Sequence, residues 1–189
     1  MNILNNPKYT GIAWLVVRLW LGYEWLTAGW EKAFGEGSAL WVGPKAGAAV
    51  TGFLNGAIAK SALAPGFDVA KTPHPAVQEW YAVLVQNYFL PNATAFSYLV
   101  AYGEILVGIA LIVGIFTRFS AVMGVLMNLA YLFAGTTSTN PQLLVVGLTI
   151  ALVGGLAVGY YGLDYFARPI EEKLFKGART RLDHTPQPV

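Results

Sequence analysis

A few polar side chains of this sequence stand where polarity is expensive. Arg18 and Glu24 interrupt one long apolar run, Glu104 a second, and the amide Asn128 a third. An arginine facing lipid costs ~3 kcal/mol on insertion scales, so such groups are expected to point inward, to pair, and to mark a path for ions, protons or substrate. Arg18 with Glu104 is the expected ion pair. Glu24 has no basic residue at its own depth. It is expected to be protonated, to reach Lys32 through water, or to face a polar cavity, and it is the natural proton donor of the set. Trp25, Trp30 and Tyr102 could wall an apolar slot beside these groups, as a flat ligand with polar ends would require. Lys32, at the end of the first run, is the cation best placed to meet an anion. The catalytic candidates are thus Glu24, Arg18 and Glu104. The binding candidates are Trp25, Trp30, Lys32, Tyr102 and Asn128.

Helices must bring these residues together. Of 189 residues, 56% are hydrophobic and 12% charged, and the mean hydropathy is +0.52. A soluble domain carries roughly 25% charge, so an ordinary water-solvated surface is excluded. Four stretches, at 10–30, 94–116, 119–136 and 141–163, lie near the ~20 residues that cross a bilayer core. The expected fold is all-α: one domain, 1–189, forming an integral membrane four-helix bundle. Phe116-Thr117-Arg118 leaves room only for a tight turn, so the second and third spans should be antiparallel neighbours. Asn140-Pro141 reads as an N-cap followed by proline at the first helical position.

The loop 35–93 is long but patterned. From 76 to 90, apolar residues including Val77, Tyr81, Leu84, Val85 and Tyr88 recur at helical spacing between Pro75 and Pro91. This predicts a helical lid over the outer mouth of the bundle, or alternatively a helix floating on lipid. A weaker helix is expected over 46–60. Lys8, Arg118 and the basic residues of the tail 164–189 lie on one side of the spans, against the scattered Lys45, Lys60 and Lys71 on the other. The bias places both termini, and an amphipathic tail, in the cytoplasm and the lid outside; the membrane expected is the cytoplasmic membrane of a prokaryote.

Counted at 1.5 Å per residue from the inner ends of their spans, Arg18, Glu104 and Asn128 fall into one layer at about 12–18 Å depth. Two readings follow, a layer that only fixes the register of the bundle and a functional cavity. Composition narrows the chemistry. With no cysteine, the chain holds no disulfide, iron–sulfur cluster, thiolate metal site or persulfide. Its two histidines, His74 and His184, lie in separate polar segments and do not suit a haem. No glycine fingerprint for a flavin or dinucleotide is present, and a net charge of +2 is too small for a nucleic-acid binder.

The segments Arg18-x-x-x-Gly22, Gly29-Trp30-Glu31-Lys32, Gly103-Glu104-x-x-x-Gly108 and Thr117-Arg118 resemble the helix patterns of the DoxX/DoxD family. Ser138-Thr139-Asn140-Pro141 and Gly159-Tyr160-Tyr161-Gly162-Leu163-Asp164 resemble its DoxD-like branch. The resemblance implies a small four-helix membrane protein. It also implies a subunit of a thiosulfate:quinone oxidoreductase, in which thiosulfate is oxidised to tetrathionate and a membrane quinone is the diffusible acceptor. The partners it implies are lipid, quinone, and a second DoxA-like subunit or a peripheral redox protein, with a homo-oligomer also open. The rival readings are a small-anion or proton-coupled transporter and a non-catalytic membrane anchor.

Overall fold

The computed structural model describes residues 7–155 and 157–166. Its elements in chain order are α1 (Pro7–Phe34), α2 (Ser38–Trp41), α3 (Ala48–Ala59), α4 (Glu79–Leu84), α5 (Ala93–Val113), α6 (Thr117–Phe133) and α7 (Asn140–Leu152). Every named element is helical, as the composition led us to expect. One isolated parallel bridge, Ser61 with Val77, ties the end of α3 to the approach to α4. The expected amphipathic tail lies beyond Phe166, outside the described residues.

Helices α1, α5, α6 and α7 pack side by side, with α1 laid along α5 and α6 along α7. Glycines set the closeness of α1 and α5. A methyl group on Gly29 would stand 2.8 Å from the Ala101 carbonyl, and one on Gly22 would stand 2.9 Å from the Gly108 carbonyl. Only glycine at these positions lets the two backbones meet, which is how small residues serve helix pairs that lack a hydrophobic driving force. The tight turn is present. Gly114 (φ 73°) and Phe116 (φ 47°) reverse the chain between α5 and α6.

Helix α6 starts at Thr117, within the turn expected at 116–118, and Asn140 is the first residue of α7 with Thr139 as its N-cap, where Asn140 was expected as the cap. Two further boundaries differ more. Pro91 does not end a helix. Glu79–Val113 is one continuous helical stretch of 35 residues, and it is long and apolar enough to cross a membrane by length and composition. Proline lacks the N–H and crowds the preceding turn. Here the strain is absorbed by a π turn at Val85–Phe89 and a 3₁₀ turn at Leu90–Asn92, and the Asn92 side-chain amide donates to the Tyr88 carbonyl at 2.8 Å. The fourth run also stops early. Helix α7 ends at Leu152, where Gly154 and Gly155 (φ 51°) turn the chain across the end of the bundle. Leu163 and Asp164 N–H groups then donate to the Val113 and Gly114 carbonyls.

At the opposite end, α2, α3 and α4 form a cap with its own core of Val50, Leu54, Val77, Tyr81, Ala82 and Val85. The Tyr81 hydroxyl donates to the Ala130 carbonyl at 2.8 Å, and Trp80 packs edge-on against Phe133. The expected helices over 46–60 and 76–90 are thus both present and rest on the end of α6. His74 is exposed between its two prolines.

The glycine seam yields a test. Gly29→Val should lower the melting temperature in detergent, with a cost of roughly 1–3 kcal/mol for overpacking. Gly52→Ala, where an added methyl meets open space, should melt like wild type. Equal melting of both variants would refute the close α1–α5 approach.

Candidate functional site

Glu104 is the centre of the site. It is 2% exposed, and helix α5 turns it toward α1 and α6. Its Oε2 accepts from Lys32 Nζ at 2.7 Å, and its Oε1 accepts from the Tyr131 hydroxyl at 2.9 Å. One carboxylate therefore links α1, α5 and α6. Lys32 also donates to the Ala28 carbonyl at 3.2 Å and stands 5.3 Å above the Trp41 ring. Its ammonium is thus held by charge, hydrogen bond and π-face together.

This cluster forms one wall of a cavity of about 540 Å³ under the cap. Aromatic residues Trp25, Trp41, Phe53, Tyr81 and Phe96 supply apolar walls. Glu24, Thr27 and Glu31 of α1 edge the cavity on one side, and Ser138, Thr139 and Asn140 edge it on the other. Most of these edge residues are partly or fully exposed, so the mouth opens between α1 and the start of α7. Three carboxylates line the space, and Lys32 is the one cation among the described residues that line it.

Asn128 lies one turn before Tyr131 on the same face of α6. It lines the cavity and is fully buried. Neither its amide nitrogen nor its amide oxygen has a hydrogen-bond partner among the described residues. A buried amide left unpaired is costly, so such a group calls for a partner.

Of the residues singled out by sequence, Glu24, Trp25, Lys32, Glu104 and Asn128 line this one cavity. Trp30 and Tyr102 do not. Trp30 is 57% exposed and packs on Phe34, and Tyr102 is 43% exposed and stacks on Tyr98. Both lie on outward faces of their helices.

Arg18 is also elsewhere, and the expected Arg18–Glu104 pair does not form. Arg18 is buried at the far end, where its guanidinium donates to the Val158 and Tyr161 carbonyls at 3.2 and 2.8 Å. The packing register explains the separation. Glu104 meets α1 at Gly29, and Arg18 lies eleven residues below Gly29, about 16 Å along the helix. Its side chain leans farther away still, toward the helix N-terminus. The expected single layer is therefore two polar centres. Around Arg18, Asp164 accepts from the Thr117 N–H at 3.0 Å, and Arg118 donates to the Ala151 carbonyl at 3.0 Å. These bonds cap the start of α6 and the end of α7 with residues distant in sequence.

Tyr131 was not among the sequence candidates, although its spacing from Asn128 was a usable signal. Trp41 and Phe53 reach the cavity only through the packing of the cap, which no local pattern displays.

The DoxX family profile matches residues 13–137, about two thirds of the chain. The chain belongs to the DoxX family. No curated protein and no solved structure yields a match. DoxX proteins are typically membrane-associated, which agrees with the apolar composition. The matched region of this DoxX chain contains Trp25, Lys32, Glu104, Asn128 and Tyr131, and stops short of Asn140 and Leu143 at the cavity edge.

The ion pair yields a second test. Removing one partner of a buried pair costs about 3–5 kcal/mol in soluble proteins, and polar contacts between membrane helices are worth less. Glu104→Ala and Lys32→Ala should each lower the melting temperature in detergent, and exchanging Lys32 with Glu104 should recover part of the loss. Exchanging Arg18 with Glu104 should recover none, and rescue by that exchange would overturn the two-centre arrangement.

Proposed function

We propose that this DoxX chain is a four-helix membrane subunit that binds a quinone, within a thiosulfate:quinone oxidoreductase-like system of the DoxD type. The observation that carries the reading is the buried polar cluster of Lys32, Glu104, Tyr131 and Asn128 set against aromatic walls inside a cavity whose mouth is edged by polar residues. A quinone is flat, apolar and neutral, with oxygen acceptors at opposite ends. The aromatic walls match its ring faces, and Lys32 and the Asn128 amide offer donors to one of its oxygens. When bound, the quinone supplies the two-electron acceptor that this chain's own side chains lack.

The chain's residues would then bind, orient and protonate. Lys32 keeps one hydrogen to give toward ligand, and its bond to Glu104, which Tyr131 also supports, ties that proton to a connected network. Glu24 and Glu31 stand at the mouth, between the cavity and the outer boundary, where they can resupply protons. Two thiosulfates give one tetrathionate and two electrons, and the quinone takes up those electrons with two protons.

Charge separates the two substrates. The cavity wall holds three carboxylates against one lysine, and Lys32 is already paired. Elsewhere Lys60 donates to the Gly135 carbonyl and Lys71 pairs with Asp68. A thiosulfate dianion would meet like charge at the mouth, so its oxidation belongs to a partner subunit. The same charge balance disfavours an anion transporter.

Orientation follows the basic-residue bias, with the cap outside and both termini in the cytoplasm. A cysteine at the exposed Ala70 should label from outside intact cells, and labelling only after lysis would reverse the arrangement.

For the function, the chain in lipid nanodiscs should bind a short-tailed benzoquinone. With its partner subunit and thiosulfate it should reduce that quinone. Glu24→Gln and Tyr131→Phe should lower turnover at least tenfold, the low end of what a positioned proton donor contributes being about a hundredfold. Binding no quinone in nanodiscs would leave the chain a non-catalytic anchor and sink the proposal.

A further inference from the structure

The hydrogen-bond inventory of the cavity wall says more about the ligand than its shape does. Lys32 spends two of its three hydrogens on the Ala28 carbonyl and Glu104. The Tyr131 hydroxyl spends its hydrogen on Glu104 and keeps an acceptor lone pair. Asn128 keeps everything: two hydrogens on its nitrogen and two lone pairs on its oxygen, all buried and unpartnered among the described residues. This holds whichever way the amide is turned, because both ends are unmatched. A ligand that only accepts hydrogen bonds would pair with the Asn128 nitrogen and leave its oxygen orphaned.

Resting on the quinone reading above, we infer that Asn128 sets the specificity of the cavity for a polar end that both donates and accepts, which is the hydroquinone form rather than the quinone. A hydroquinone hydroxyl can donate to the Asn128 oxygen or to the free lone pair of Tyr131 while its oxygen accepts from the Asn128 nitrogen or the remaining Lys32 hydrogen. The oxidised ring has no hydrogen to give. Leaving a buried acceptor unpaired is the larger part of the energetic difference between such ligands, and sites built around polar groups reject the analogue that lacks the matching group. Tighter binding of the reduced form also makes the bound couple a stronger oxidant than the free one. A tenfold preference corresponds to about 30 mV for a two-electron couple.

The test uses the full chain in lipid nanodiscs under anaerobic conditions. Its probes are a short-tailed benzoquinone and the same compound reduced. Wild type should bind the hydroquinone about tenfold more tightly than the quinone, the effect of one unpaired buried group. Asn128→Leu should bind both about equally. Without any probe, Asn128→Leu should melt at or above the wild-type temperature, because an orphaned amide gives way to an apolar group of similar size. A preference unchanged in Asn128→Leu would mean that water satisfies the amide, and would overturn the assignment. A leucine variant that melts lower or fails to fold would make Asn128 a structural residue, with the same result. If wild type binds neither probe, the quinone reading falls and this assignment falls with it. Binding of both probes with equal affinity in wild type overturns this assignment alone.

Discussion

The arrangement of this chain depends on keeping one carboxylate inside an apolar bundle. Glu104 can be buried only if its oxygens are paired, since an isolated charge in low dielectric is costly by several kcal/mol or more. Lys32 from α1 and Tyr131 from α6 supply the pairing. That demand fixes the register of α1 on α5, because Lys32 must stand one turn beyond the glycine contact at Gly29. It also fixes which face of α6 turns inward, and Asn128, one turn along the same face, is carried into the cavity with Tyr131. The cap follows, because Trp41 covers the Lys32 ammonium and Tyr81 reaches the α6 backbone just before Tyr131.

The far end solves a different problem with the same kind of group. Two turns meet there, at 114–116 and at 153–155, and each leaves backbone N–H or carbonyl groups without helical partners. Arg18, Asp164 and Arg118 bond almost entirely to backbone. Packing is tight enough that a side chain at Gly114 or Gly162 would collide with the Arg18 guanidinium. Arg18 is thus a clamp that holds the 157–162 segment under the bundle. Its burial, taken from sequence alone as a sign of chemistry, reflects the cost of ending helices in an apolar setting.

Much of this was legible in the sequence, and the failures share a cause. Helix content, a tight turn between the second and third runs (expected at 116–118, found at 114–116) and the two cap helices follow from local signals: periodicity, glycine and proline. Five of the eight site residues named from sequence line one cavity, because polar side chains in apolar runs must face inward. What the sequence could not show was register. Depth counted from presumed span ends placed Arg18 and Glu104 in one layer, whereas α1 runs 28 residues from Pro7 to Phe34 and slides Lys32 against Glu104. Trp30 and Tyr102 were placed by proximity along the chain, and helical rotation turns them outward. The early end of α7 was hidden because 153–163 stays apolar although the chain leaves the helix.

The cavity itself requires an explanation, since bundles normally fill their interiors to crystal-like density. Glycine contacts draw α1 and α5 together at Gly22, Gly29 and Gly108, and Gly124 lets Trp25 lie against α6. The volume that large aliphatic side chains would occupy between α1 and α7 is left to Thr27, Ala28 and short polar residues of the 136–140 turn. Much of the remaining wall is aromatic, with Trp25, Trp41, Phe53, Tyr81, Phe89 and Phe96 beside a few aliphatic residues, and rigid rings fill a gap less readily than flexible side chains. Closing the gap would also force Asn128 against apolar neighbours with its amide still unpaired. A space walled largely by rings, kept open by short residues and holding an amide without a partner among the described residues is less stable than a filled core. That cost is what supports the proposal that a ligand completes this part of the interior.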